Sequence, residues 1–179
     1  MRAPRYAPDS TALEQLAGQA KQWTCPYCGR AGTLNGHGLL RGGAEEAHGK
    51  DAVRGRRWFC SNRGRRPGCG RTFSVLLAQV MRHASVRTAK LWQFCRARLA
   101  GGGVPAAWEQ TRCGFSLEAA YQWWRRWRRA EPALRTHLLR GPGPPGKSLR
   151  EQIERAYGAI DPIAWFQKSE QRPWPGFAS

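Results

Sequence analysis

The sequence predicts an α+β fold, mostly α, and three observations carry that expectation. Two cysteine-bearing turns, at 25–28 and 60–69, are flanked by short runs of strand character, the pattern of a small metal-stapled β-ribbon. Apolar residues recur at helical spacing in several later segments. The run Gly141-Pro-Gly-Pro-Pro-Gly146 is a semi-rigid linker ahead of a last amphipathic helix. The expected organisation is an N-terminal helix at 1–23, the ribbon at 24–75, a helical domain at 76–140, the linker at 141–147, and a helix with a tail at 148–179.

Thr11-x-x-Glu14 has the form of a capping box, and Leu13, Leu16, Ala17 and Ala20 repeat at helical spacing, so a first helix is expected over 11–22. Turn-rich sequence fills 24–57, and strands are expected at 33–40, 57–60 and 71–75. Residues 75–83 can start a helix. Ser85 is placed to cap another, with Val86, Leu91, Phe94, Cys95 and Leu99 on one side and Gly101 ending it. Pro105 fits the first turn of a short helix ending at Cys113-Gly114, and Phe115-Ser116 leads into a long one from 117 to about 129. Pro132 either opens a separate helix or kinks that one. After the linker, Ser148-x-x-Glu151 caps a segment whose Leu149, Ile153, Ala156, Tyr157 and Ile160 share a face. The tail to Ser179 either docks or stays loose, and no internal repeat is visible.

The charge narrows the function. Thirty Lys and Arg against twelve Asp and Glu leave a formal +18 in 179 residues, with an isoelectric point near 11.1. From 52 to 108 there is no acid, while twelve basic residues occur there; beyond 141 the balance is five against four. The excess belongs to the middle of the chain. Such a surface associates with polyanions, of which nucleic acid is the commonest. Coding bias accounts for Arg over Lys, but not for the missing acids. The longest apolar run, 75–78, is far too short for a membrane span. The start MRAPRYAPDS has no apolar stretch behind it and does not read as a secretory signal. The cytoplasm is therefore expected, where six cysteines serve better as metal ligands or buried thiols than as disulfides.

Cys25-Pro-Tyr-Cys28-Gly is a turn that aims two thiolates at one ion. Cys60 and Cys69 form the second pair, with eight residues between them in place of two to four, so 62–68 is taken as a basic insertion in the second turn. Four thiolates satisfy one tetrahedral Zn²⁺, and such a closed site is structural. The alternative is four unrelated thiols with a redox role for the CxxC. His37 and His48 lie in the intervening loop, where either can replace Cys60, although plain loop histidines are the simpler reading. Cys95 and Cys113 lack partners at ligand spacing and read as small buried hydrophobes.

On a helical wheel centred on Ala120, Leu117, Trp123, Trp124 and Trp127 form an apolar stripe. Glu118, Tyr121, Gln122, Arg125, Arg126 and Arg129 occupy the other side. Amide and guanidinium groups suit adenine and guanine edges. With the Pro105 helix and the Gly114 turn before it, the segment has the parts of a helix-turn-helix, and Ser116 caps the second helix within reach of a phosphate. Gln110 departs from the pattern, standing where such motifs usually carry a small residue facing the turn.

The order CPYCGR, GHGLLRG, RGRRWFCSNRGRRPGCGRTFS and YQWWRRW resembles the N-terminal zinc-ribbon and helix-turn-helix region of insertion-sequence transposases. It is similar, more closely, to short bacterial proteins of unassigned function carrying this region alone. The resemblance covers about 25–130, with Cys25, Cys28, Cys60 and Cys69 at the ribbon's ligand positions. Transposases of this kind continue into a catalytic domain with three carboxylates; here the acids beyond the linker are Glu151, Glu154, Asp161 and Glu170, with no βαβ pattern around them. Transposition by this chain alone is not implied.

The leading expectation is a zinc-stabilised protein of the nucleoid that binds duplex DNA, as a regulator or accessory factor of a mobile element. Arg56, Arg57, Arg63, Arg65, Arg66 and Arg71 hold phosphates in that reading, and Gln122, Arg125, Arg126 and Arg129 approach the major groove beside Ser116. The alternative is a module that binds RNA or a ribonucleoprotein, with Trp58, Phe59 or Phe73 stacking on bases. A third is a protein partner or a second copy bound through the 148–160 helix and Trp165 or Trp174. No enzyme is expected: there is no phosphate-binding Gly-rich motif, no HxH or HExxH, and no nucleophile with an evident base, and the glycines at 101–103 read as a loop.

Overall fold

The structure, a computed structural model, describes residues 1–42, 52–65, 67–82, 86–111, 116–141, 146–158 and 160–175. The fold is α+β and divides into two compact units, one of the described residues up to 78 and one of those from 79 onward.

The first unit holds a four-stranded sheet. Strand β1 is Tyr6–Ala7, β2 Leu34–Arg41, β3 Val53–Cys60 and β4 Thr72–Leu77, in the spatial order β1-β4-β3-β2. β1 lies parallel to β4, and the other neighbours are antiparallel. Helix α1, Ser10–Gln19, and one 3₁₀ turn, Ala20–Gln22, precede β2. The first-helix expectation needs one correction. Its N-cap is Asp9, whose carboxylate accepts from the Ala12 amide at 2.8 Å, so Thr11 already lies inside the helix. The core gathers Tyr6, Leu13, Trp23, Leu34, Trp58, Val75 and Leu77, with Trp23 and Trp58 edge to face at 5.6 Å. Gly55 is fixed by crowding, since a Cβ there would stand 2.3 Å from the Val75 carbonyl oxygen.

The helix expected from 75 is not formed among the described residues; Val75 to Leu77 end β4. A short apolar run fits either element, and the strand wins because the N-terminal segment pairs with it. The Leu76 amide donates to the Arg5 carbonyl at 3.0 Å, and that of Ala78 to Ala7 at 2.8 Å.

The second unit is helical: α2 is Thr88–Leu99, α3 Val104–Thr111, α4 Leu117–Leu138, α5 Leu149–Tyr157 and α6 Pro162–Glu170. Ser85, Cys113, Gly114, Phe115 and linker residues 142–145 lie outside the described residues, and the N-cap of α2 is Arg87. Gly101, at φ +96°, ends α2 in a left-handed turn, with Gly101 N–H donating to Arg98 and Gly102 N–H to Ala97. Helix α4 continues past the expected limit at 129. Pro132 lies inside it, and the only donor it removes is the one for the Arg128 carbonyl on the exposed side, where water can serve. Ala120, Trp123, Trp127, Ala130 and Leu134 are buried at alternating steps of three and four, which holds both halves to one core.

Beyond the linker, Ser148 caps α5 by accepting from the Glu151 amide at 3.2 Å, while the Glu151 carboxylate reaches back to the Lys147 amide at 2.9 Å. Leu149, Ile153 and Tyr157 are buried, but Ala156 is exposed and Ile160 is 92% exposed, so the apolar face is narrower than expected. The tail to residue 175 forms α6 and seats Trp174, 0% exposed, against Trp127 with ring centroids 5.6 Å apart. Buried Gln167 fastens it, donating to the Val80 carbonyl at 3.1 Å and accepting from the Trp174 amide at 3.4 Å. Of the segment expected to meet a partner, Leu149, Ile153, Tyr157 and Trp174 are buried within the unit, and Trp165 and Ile160 stay exposed.

Trp174→Ala should cost about 3–5 kcal/mol of stability in chemical denaturation, the range for emptying a buried aromatic site. A loss under about 1 kcal/mol would mean that the terminal segment is not docked.

Candidate metal centre and basic faces

Two turns of matching build bring four cysteines together in the first unit. In the first, the Cys25 amide donates to the Arg30 carbonyl and the Gly29 amide to that of Cys25, both at 2.9 Å; Gly29 takes the left-handed φ of +70° that closes the turn. In the second, Cys60 ends β3, its amide donates to the Arg71 carbonyl, and the Gly70 amide returns to the Cys60 carbonyl, again both at 2.9 Å. The long spacing between Cys60 and Cys69 is absorbed by a pinched loop. The Gly68 amide donates to the Ser61 carbonyl at 3.0 Å, which shuts the insertion into a side lobe and leaves Cys69 beside Cys60. Gly68 has to be glycine, because a Cβ there would lie 2.1 Å from the Ser61 oxygen.

The Sγ atoms of Cys25, Cys28, Cys60 and Cys69 all lie within 4.8 Å of one another, with Cys25–Cys69 at 3.8 Å and Cys28–Cys60 at 3.7 Å. A tetrahedral ion bound to four thiolates at ~2.3 Å sets its sulfurs ~3.8 Å apart, so the donor set fits a single ion. Among the described residues no other group of three or more His, Cys, Asp or Glu is placed to hold a metal. His37 stays out of the cluster, with its ring 6.1 Å from that of Phe59, and His48 lies outside the described residues.

Hydrogen bonds distribute the charge of the ion-free cluster unevenly. Burial raises the Cys60 thiol pKa, but the Thr33 hydroxyl at 3.2 Å, the Cys69 amide at 3.3 Å and the other thiols outweigh it and bring it down to about 7. Burial pushes Cys25 up to about 12, against the amides of Cys28 and Tyr27. A cation reverses this by displacing the protons. Thr33 is a partner of the cluster with no sequence signal, lying 27 positions from the sulfur it contacts. Cys95 is fully buried in the second unit, its thiol pKa raised by desolvation, as a packing residue. Cys113 lies outside the described residues.

The arginines expected on phosphates are placed differently from one another. Arg57 is exposed on β3, Arg63 and Arg65 are exposed on the pinched lobe, and Arg71 is exposed with its guanidinium 5.4 Å over the Tyr27 ring. Arg56 is half-buried over the Trp58 ring at 5.5 Å, and Arg66 lies outside the described residues. Trp58, 1% exposed, cannot stack on a base; it belongs to the core because it alternates inward with Cys60 along β3. Phe73 packs edge to face on Tyr27 at 6.5 Å, and Phe59 is half-buried.

In the second unit Ser116 caps α4, accepting from the Ala119 amide at 3.3 Å. Tyr121, Gln122, Arg125, Arg126 and Arg129 are exposed. Glu118 is exposed too, and hydrogen bonds from the Ser116 hydroxyl and its own amide hold its carboxyl below the usual range. Leu117 is exposed, unlike the rest of the apolar stripe. Gln110 also points to solvent; the small residues turned inward on α3 are Ala107 and Thr111. Of the carboxylates beyond the linker, Glu151, Asp161 and Glu170 make local structural contacts. Asp161 caps α6 through the Ala164 amide at 3.0 Å and accepts from the Thr88 hydroxyl at 2.7 Å, and Glu170 pairs with Arg172 at 3.6 Å. Among the described residues no helix is long and apolar enough to cross a membrane.

Comparison with known proteins gives no match: no protein-family model, curated protein or solved structure corresponds to this chain.

Since Cys25 keeps its proton near neutrality until an ion displaces it, metal affinity should fall at least roughly tenfold per pH unit between about pH 8 and pH 6, measured by competition with a chelator. A flat profile would mean that Cys25 is not a ligand. Gly68→Ala should abolish stoichiometric metal in the purified chain, read by elemental analysis, while full metal content in that variant would show that the pinch does not set the site.

Proposed function

We propose that this chain is a zinc-stabilised DNA-binding protein, with α4 as the element that reads duplex DNA. The observation that carries the reading is the two-sided chemistry of α4. It buries Ala120, Trp123 and Trp127 and leaves Gln122, Arg125, Arg126 and Arg129 exposed in a region poor in acids. A helix fixed by its tryptophans presents amide and guanidinium groups as a rigid row, which is what recognition of base edges requires. With α3 and the Ser116 cap it acts as a helix-turn-helix, and the capped N-terminus faces a phosphate.

Zn²⁺ is the ion that an all-thiolate tetrahedral set suits. Cys25, Cys28, Cys60 and Cys69 fill its four positions and leave none for substrate, so its role is structural and the chain binds without catalysing. Arg57, Arg63, Arg65 and Arg71 contact phosphates, and Arg66 is counted with them from the sequence alone. Half-buried Arg56 contributes mainly by packing on Trp58. The transposase-like order of parts supports a regulator or accessory factor of a mobile element, acting at the nucleoid.

Selection from a random duplex library should return an enriched motif. Arg125→Ala or Gln122→Ala should then weaken binding to that motif roughly 5- to 150-fold and relax preference at one position. Binding should fall steeply with salt, with a slope of about −0.9 per phosphate neutralised. No enriched motif, together with unchanged affinity in both variants, would remove α4 as the reading element.

A further inference from the structure

The two faces of the sheet differ in chemistry. One carries Trp58, Cys60 and Val75 into the core. On the other, the register places Asn35, Phe59 and Thr72 in one row and Arg57 beside Ser74 in the next. His37 falls where β2 shifts register between Gly36 and Leu39, and its ring, 6.1 Å from that of Phe59, puts it on the same side. Arg57, His37, Thr72 and Ser74 are exposed and Phe59 is half-buried. The Arg63 guanidinium stands 6.0 Å over the Phe59 ring. β2, β3 and β4 contain no Asp or Glu.

We propose that this face also binds single-stranded DNA, with Phe59 and His37 stacking on unpaired bases and Arg57 and Arg63, the same cations that meet duplex phosphates, holding the backbone. Solvated sheet faces usually mix charges of both signs; this one offers cations, hydroxyls and two adjacent rings with no counter-charge on its strands. A polyanion meets the cations, and flat π-faces meet the rings, which is the combination that strand-tracking surfaces use. Duplex DNA does not satisfy the rings, because its base faces are hidden in the stack. The choice of a single strand is independent of α4, whereas the choice of DNA over RNA rests on the function proposed above.

The test uses the full-length, metal-loaded protein and fluorescence anisotropy with three probes: labelled oligothymidylate of about 12 nucleotides, oligouridylate of the same length, and a duplex. Phe59→Leu and His37→Ala should each weaken oligothymidylate binding roughly 5- to 150-fold, the loss expected for one base stack. Both should keep their metal and bind the duplex within about twofold of the parent. Arg125→Ala should do the reverse, weakening the duplex alone. If His37→Ala, at an exposed position that does not threaten folding, and Phe59→Leu both bind oligothymidylate like the parent, the platform is wrong. Tighter binding of oligouridylate would overturn DNA as the occupant. Parallel loss of duplex and single strand in all three variants would show that the rings serve duplex binding and overturn them as a single-strand platform. If Phe59→Leu and His37→Ala act as expected and Arg125→Ala leaves the duplex unaffected, the platform stands and the α4 reading fails.

Discussion

Four sulfur atoms within 4.8 Å of one another have no good resting state without a cation. As thiolates they repel, and as thiols they are weakly bonded polar groups in a partly desolvated site. An ion that replaces the protons turns that liability into a cross-link between a turn near residue 27 and one near residue 69. The rest of the first unit is arranged around that need. Gly29 and Gly70 adopt left-handed conformations at φ +70° and +71° so that each turn presents its sulfur inward, and Gly68 lets the chain press against Ser61. The β3–β4 pairing then follows, because its strands leave the second turn already opposed. An apolar core centred on the Trp23–Trp58 pair is small for such a unit, and units of this size commonly depend on a metal.

The second unit works on different physics. Its tryptophans do the cross-linking: Trp92 lies 6.4 Å from Trp127, and Trp127 stacks on Trp174. This lets α4 give one side to packing and the other to solvent over its whole length. Further along, Arg135 pairs with Glu131 at 2.9 Å and helps hold the helix past Pro132.

Much of the site was legible in the sequence because cysteine chemistry is local: a CxxC followed by Gly specifies a turn with two converging sulfurs. The second pair was legible only as an interrupted version of the first, since the Gly68–Ser61 pinch that closes the interruption is a matter of crowding. The α4 stripe could be read because the period of tryptophans survives any tertiary arrangement. Four features could not be read from local pattern. β1 is two residues long and exists only because β4 is there to pair with. Asp9 displaced Thr11 as the cap, since both types cap and the entry of the chain decides. Pro132 was tolerated because its lost bond faces water. The docking of Trp174 depends on a slot that Phe166 makes with Trp127, a residue distant in sequence.

X-ray absorption at the zinc edge looks directly at whether the four sulfurs hold an ion. One shell of four sulfurs at about 2.3 Å, with no nitrogen or oxygen, is the expected result. A shell containing light atoms, or a folded chain with four free thiols and no ion, contradicts a closed thiolate centre.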